Sequence, residues 1–167
     1  IRTDNLDVIT ALASVPAEEQ GNLIEWTLGR DTRDQDQDGD LAETRGDMGD
    51  ALHVQPITLF YSGTEEEPET NITTVFLPTN DGFLHAFDSE TGEELWAFIP
   101  ARLLAGLYPL YLNEESASKH YRLDGEISLV ILNDDGKPGL NSTEACGSVP
   151  GQECAILLFG MGRGGDG

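Results

Sequence analysis

The sequence predicts a mainly β fold that follows a short helical segment. Residues 1–30 place apolar side chains at helical spacing, residues 31–56 show no apolar periodicity, and residues 57–167 alternate short apolar runs with turn residues. The expected organisation is a helical lead-in, an acidic loop and a β-rich remainder. A chain of 167 residues is long enough to form one domain with a hydrophobic core, or to be part of a larger domain.

Helix signals are concentrated in the first 30 residues. Pro16 suits a first helical turn, and two glutamates follow it near the positive end of the helix dipole. Leu23 and Thr27 then recur on one face, and Gly29 provides a stop. A shorter helix over Leu6–Ala13 is expected before this one.

Six apolar runs predict β-strands after residue 56. They are Ile57–Tyr61, Thr74–Pro78, Phe83–Asp88, Glu94–Ile99, Ile127–Leu132 and Ala155–Phe159. An acidic loop over Gly63–Asn71 separates the first two, turn residues follow the second and third, and a helical turn is expected over Arg102–Leu107. Four antiparallel strands connected in this way have the size of one propeller blade. Residues 57–167 are therefore expected to form an incomplete β-propeller, with about one full antiparallel four-stranded blade plus strands of the next.

The charge balance excludes several partners. The chain carries 31 acidic and 9 basic residues, for a formal net charge of -22 and a pI near 4.1. Such a field repels phosphate backbones and anionic lipid surfaces, so nucleic-acid binding is not expected. The longest apolar run, Ala155–Gly160, is far shorter than the roughly 20 residues of a membrane helix, so this segment is expected to contain no membrane span.

Two cysteines, Cys146 and Cys154, lie in a segment rich in glycine, proline and polar residues. Their spacing is not that of a zinc site, and no second pair is present to complete one. The intervening glycines and proline let the chain reverse, which favours a disulfide over two free thiols. A disulfide would indicate the periplasm or the cell exterior.

The strongest local pattern covers Val75–Phe98, V-F-L-P-T-N-D-G-F-L-H-A-F-D-S-E-T-G-E-E-L-W-A-F. Within it, Leu84 and Ala86 alternate with His85, and Trp96 provides a large apolar plate for packing between blades. This stretch resembles the repeat of eight-bladed quinoprotein-type propellers. The resemblance concerns the fold, and no cofactor role for these residues follows from it.

Neighbouring segments narrow the resemblance. R-G-D-M-G-D-A-L-H-V-Q-P-I precedes the blade motif, H-Y-R-L-D-G-E-I-S follows it, and F-G-M-G-R-G-G comes last. In this order, over residues 20–167, they are similar to the C-terminal propeller domain of the PilC/PilY family of type IV pilus tip-associated proteins. The resemblance implies a role in pilus assembly, retraction control, adhesion and twitching at the cell surface, with calcium dependence in some members. The implied partners are other pilus components, such as minor pilins, and a host or abiotic surface.

The acidic segment 31–56 contains a candidate calcium loop. Calcium sites need hard oxygen ligands at alternate positions and a glycine at the sharp turn. The candidate ligands are the carboxylates of Asp34, Asp36, Asp38, Asp40 and Glu43. Gly39 fits the turn position, Asp31 is a further possible ligand, and the twelfth position, usually Glu, is Arg45. The alternative is a solvated acidic loop of the kind that suits a halophilic protein. A second candidate, at residues 133–136, is more typical of an ordinary turn.

Other motifs favour structural interpretations. Arg45-Gly46-Asp47 matches an integrin-binding tripeptide, but such tripeptides are common by chance. The glycines at 160, 162 and 165 match a dinucleotide-binding pattern without room for the helix that such a site needs. His85 is expected to be a hydrogen-bonded, half-buried strand residue, and His53 is expected to bond near Asp50. No catalytic residue is predicted.

Three functions therefore remain open. The favoured one is a non-enzymatic pilus-tip module that acts in assembly and adhesion. A quinone-dependent dehydrogenase fragment shares the blade repeat, but this sequence lacks the adjacent cysteines common in such enzymes. An outer-membrane propeller scaffold would need further blade copies. Because the sequence ends in glycines directly after an apolar strand, we expect the chain to be a fragment of a longer protein.

Overall fold

The structure, a computed structural model, describes residues 6–61, 72–113, 121–132, 136, 139–140, 146–147 and 150–162. The chain divides into two compact units. Unit 1 comprises residues 1–49 and 99–119, and unit 2 comprises residues 50–98 and 120–167. The described parts of unit 1 are helical or irregular, and those of unit 2 contain the β-sheets.

Within the part of unit 1 that the structure describes lie three α-helices and a 3₁₀ helix. These are α1 Leu6–Leu12, α2 Ala17–Thr27, the 3₁₀ helix Ala101–Gly106 and α3 Leu107–Leu112. Its core joins α2 to α3, where the rings of Trp26 and Tyr111 meet edge to face with centroids 5.8 Å apart. Helix α2 begins after Pro16, and Gly29, at φ +95°, allows the chain to turn away from its end.

The described residues of unit 2 form six strands in two antiparallel sheets. The first sheet has the order β1-β2-β3-β4, with β1 Ile57–Tyr61, β2 Ile72–Pro78, β3 Leu84–Asp88 and β4 Glu94–Phe98. The second pairs β5 Ile127–Leu132 with β6 Cys154–Phe159. Within the described residues, the outer edge of β1 is extended by a parallel bridge between Tyr61 and Leu140.

Strand register determines which side chains are buried in the four-stranded sheet. Phe76 lies opposite Ala86, and Ala86 lies opposite Trp96, so these three residues share one face. Phe76 and Ala86 are almost fully buried, whereas Trp96 remains 44 % exposed and packs on Phe76 with ring centroids 5.7 Å apart. His85 and Phe87 point to the opposite face. A β-bulge after Ala86 shifts the register of β4.

The structure confirms the mainly β prediction and the predicted disulfide. Cys146 and Cys154 are bonded, with their Cα atoms 5.5 Å apart. The described strands form one four-stranded and one two-stranded sheet, and a propeller stays a prediction. The predicted acidic loop Gly63–Asn71 and most of the turn at 133–136 lie outside the described residues. Among the helices described, none is long and apolar enough to cross a membrane.

Glycines allow two backbone segments of unit 2 to touch. The Gly125 N–H donates to the Gly160 carbonyl oxygen at 3.1 Å, and the Gly160 N–H donates to the Glu126 carbonyl oxygen at 3.0 Å. A Cβ on Gly125 would lie 2.5 Å from the Gly160 carbonyl oxygen, and one on Gly162 would lie 2.6 Å from that of Asp124. The close approach explains Gly162 of the dinucleotide-like pattern, whereas Gly160 has room for a Cβ. The third glycine, Gly165, lies outside the described residues.

We expect Gly125→Ala to destabilise unit 2 by about 1–3 kcal/mol, because its Cβ would overlap main-chain atoms that cannot swing aside. Denaturant unfolding would measure this change. Gly160→Ala is the matched control, since a Cβ there meets its nearest atom at an ordinary 3.6 Å. Equal losses in the two variants would contradict the packing argument.

Candidate functional site

The acidic loop of unit 1 is closed at its base by backbone hydrogen bonds. Arg30 and Thr44 form an antiparallel bridge directly after helix α2. The Asp31 N–H donates to the Glu43 carbonyl oxygen at 3.0 Å, and the Arg45 N–H donates to the Gly29 carbonyl oxygen at 2.8 Å. The loop therefore begins and ends at one fixed place.

Carboxylates also organise the interior of the loop. Asp31 is only 2 % exposed, and its Oδ2 accepts the Gln35 N–H at 2.7 Å. Oδ1 of Asp34 accepts the Gly39 N–H at 2.9 Å, which folds residues 34–39 into a tight turn. Gly39 has φ +89°, a conformation that favours glycine, as the predicted turn position requires.

Two groups of carboxylates converge in this loop. One oxygen from each of Asp34, Asp36 and Asp38 lies within 4.8 Å of the others, and the same holds for Asp31, Asp36 and Glu43. Asp36 belongs to both groups. Among the described residues, Asp40 belongs to neither group, and its Oδ1 accepts the Ala42 N–H at 2.9 Å.

The neighbouring carboxylates of the loop make the electrostatic potential at Glu43 negative. The charges of Asp38 and Asp36 are the largest causes that raise the pKa of the Glu43 carboxyl above its usual value, followed by burial and by Asp40 and Asp31. A raised pKa means that the folded loop resists adding this last negative charge. A bound cation would remove that penalty.

The oxygen-rich groups have the chemistry of a calcium site. Oδ1 of Asp36 accepts the Asp38 N–H at 3.2 Å, and Oδ1 of Asp38 accepts the Asp40 N–H at 2.7 Å. Each of these two carboxylates therefore keeps its second oxygen for another contact. Calcium prefers hard oxygen ligands, mainly carboxylates and carbonyls, in flexible arrangements. The loop residues could hold such an ion.

Sequence spacing identified part of this cluster. It selected Asp34, Asp36 and Asp38, which lie together, and Glu43, whose carboxylate meets that of Asp36. Asp31 appeared only as a further possibility, because its closeness to Glu43 depends on the closed base of the loop. Calcium binding by these residues stays a prediction.

Two other sequence motifs have structural roles. The Arg45 guanidinium lies over the Trp26 ring, 3.9 Å from its centroid, so this arginine of the integrin-like tripeptide is engaged within unit 1. His85 is hydrogen-bonded, as expected, and it is buried where a half-buried position was expected. Nδ1 of His53 bonds the buried carboxylate of Asp124, at 2.8 and 3.0 Å, a partner that the sequence did not suggest. The 71-residue separation concealed this pair from sequence reasoning.

Comparison with known proteins gives one informative relative. The sequence is 27% identical, over 175 aligned positions, to a type IV pilus biogenesis factor PilY1 homolog from Xylella fastidiosa (strain Temecula1 / ATCC 700964). The chain is similar to a PilY1-type protein. The alignment covers 95% of this chain, and the chain spans 13% of the length of that relative. No family model matches, and no solved structure matches. The similarity supports a PilY1-related family, as the motifs predicted, and does not test the assignment to a propeller domain.

The raised pKa of Glu43 predicts a pH effect in the absence of divalent ions. Because the folded state favours protonated Glu43, its contribution to stability is present at low pH and is lost as the pH rises above the usual value of 4.5. Glu43→Gln should remove this loss, so the variant gains stability over wild type as the pH rises. Unfolding in a chelating buffer at several pH values would measure the difference. An offset that is constant with pH, or a matching gain in Glu90→Gln, would contradict it.

Proposed function

We propose that this chain is a non-enzymatic segment of a type IV pilus-associated protein that acts in pilus assembly and surface adhesion. The observation that carries the proposal is the similarity to a pilus biogenesis factor, which extends over 95% of the chain. The Cys146–Cys154 disulfide agrees with the periplasm or the cell exterior, where such bonds persist. Other pilus components, such as minor pilins, and a host or abiotic surface are the proposed partners.

Residues 57–167 are proposed to supply one blade and strands of the next to a larger β-propeller. The four-stranded antiparallel sheet, formed by strands consecutive in the sequence, supports this assignment. The half-exposed Trp96 would then pack against a neighbouring blade. A rigid blade platform suits adhesion, because its connecting loops can vary with little effect on the core.

Calcium is proposed to modulate this function through the acidic loop. Asp36, shared by the two carboxylate groups, would be a central ligand, with Asp34 and Asp38 on one side and Asp31 and Glu43 on the other. Ion binding would offset the repulsion among these carboxylates and order the loop. By mass action, free calcium at one hundred times its Kd would stabilise the folded state by about 2.7 kcal/mol.

Neutralising the central ligands should abolish the calcium response. We expect Asp36→Asn with Asp38→Asn to remove calcium binding, measured by titration calorimetry, and the calcium-induced rise in Tm. The control is Asp47→Asn with Glu90→Gln, which removes the same charge from two exposed residues outside the loop and should keep both responses. A calcium-induced rise that persists in the loop variant would exclude this site, and wild-type protein that binds no calcium would exclude calcium modulation.

The pilus assignment predicts where the full-length protein is found. It should copurify with sheared pili, and it should be missing from the sheared fraction of a strain that lacks the major pilin. Immunoblotting of both fractions would measure this. Equal amounts in the two strains would instead favour an outer-membrane scaffold. A quinone-dependent dehydrogenase would be indicated by quinone-dependent dye reduction.

A further inference from the structure

A buried polar cluster lies on the face of the four-stranded sheet opposite Phe76. At its centre is His85 of β3, whose side chain is only 11% exposed. Its ring lies near those of Phe83 and Phe87, with centroids 5.8 and 5.7 Å away. Neither the calcium loop nor the proposed pilus role uses this cluster.

The two nitrogens of His85 face two different side chains. Nδ1 lies 2.5 Å from Oε1 of Glu94, on the neighbouring strand β4. Nε2 lies 3.1 Å from Oγ1 of Thr79, directly after strand β2. The imidazole therefore connects an edge strand to the turn between β2 and β3.

Thr79 has one hydroxyl proton and more than one acceptor for it. Its side chain is fully buried, and its Oγ1 lies 2.5 Å from Oδ1 of Asp81 and 3.1 Å from the carbonyl oxygen of Phe83. Both of these oxygens are acceptors, so the hydroxyl proton is needed on that side. Directing it to His85 would leave two oxygens in short contact with no proton between them. Nε2 of His85 must then donate to Thr79.

The position of the proton on the other ring nitrogen, Nδ1, follows from the same argument about donors and acceptors. An ionised Glu94 carboxylate can only accept a hydrogen bond, so Nδ1 must donate to it. With a proton on each nitrogen, the imidazole is a cation. We propose that His85 is a structural imidazolium that clamps strand β4 to the β2–β3 turn, and that this clamp is released when the ring loses a proton.

The charges around His85 alternate in sign. Glu94 faces it directly, and Asp81 faces it through Thr79. Beyond Asp81 lies the buried Arg122, whose pKa is lowered by burial and, in smaller measure, raised by the charge of Asp81. The residues paired with His85 on the flanking strands, Leu77 and Ala97, carry no charge. A neutral imidazole would place a lone pair against either the Thr79 hydroxyl oxygen or the Glu94 carboxylate, where this geometry requires a donor.

The proton requirement fixes the sign of the pH dependence. If the folded chain holds a proton at His85 that the unfolded chain has released, stability falls as the pH rises. An imidazole in an unfolded chain has a pKa of about 6.5. The clamp should therefore weaken progressively above that pH. Its release would remove the side-chain contact between β4 and the β2–β3 turn, while the backbone pairing of β4 with β3 remains.

Nitrogen NMR on the complete 167-residue chain tests the proton count directly. At about pH 7.5, one unit above the ordinary histidine value, we expect both ring nitrogens of His85 to carry protons. The His85 signals would be assigned by their displacement in Glu94→Gln. A neutral ring, with one unprotonated nitrogen, would overturn the proposal.

Unfolding experiments provide the second test. Where only this site releases a proton on unfolding, the unfolding constant should rise about tenfold per pH unit above pH 6.5. Glu94→Gln and Thr79→Val should each reduce this pH dependence, because each removes one acceptor that requires the cation. His53→Gln is the control, since it removes the histidine of the other histidine–carboxylate pair, which is more exposed than His85, and should keep the dependence. An unchanged pH dependence in both cluster variants, or its loss in the control, would contradict the assignment to His85.

Discussion

The register between β2, β3 and β4 is the constraint on which the rest of unit 2 depends. Pairing Phe76 with Ala86, and Ala86 with Trp96, puts these three apolar side chains on one face. Because side chains alternate along a strand, a slip of one residue would move Phe76 to the other face and bring His85 into the apolar layer. The apolar core and the polar cluster are therefore two consequences of a single alignment.

The β-bulge after Ala86 determines which residue of β4 lies beside His85. Phe87 pairs with Glu94, and Leu95 is the extra residue of the bulge. The shift puts the Glu94 carboxylate on the His85 side of the sheet, within hydrogen-bond distance of the imidazole. A regular ladder would place Leu95 opposite Phe87 and leave the ring nitrogen without this acceptor. The β-bulge therefore brings the Glu94 carboxylate into contact with His85.

The sequence predicted the strands but not every helix, and it did not predict the long-range contacts. Alternation and turn residues predicted all six described strands with boundaries that differ by at most two residues, such as Ile72 in place of Thr74 at the start of β2. Helix α3, Leu107–Leu112, was missed, because only a helical turn over Arg102–Leu107 was expected. Local spacing likewise selected Asp34, Asp36 and Asp38. The pairs Asp31–Glu43 and His53–Asp124 depend on how distant segments meet, and a single sequence contains no signal for that meeting.

Acidification is expected to affect the two units in opposite directions. In unit 1, acidification would protonate Glu43, whose pKa is already raised by its neighbours, and so weaken a site that needs ionised carboxylates. In unit 2, acidification would favour the imidazolium of His85 and strengthen its contacts with Glu94 and Thr79. Since the two effects rest on different residues, Glu43→Gln and Glu94→Gln should alter them independently. Calcium binding by the loop would then weaken on acidification, whereas the contacts of His85 would respond to protons without requiring calcium.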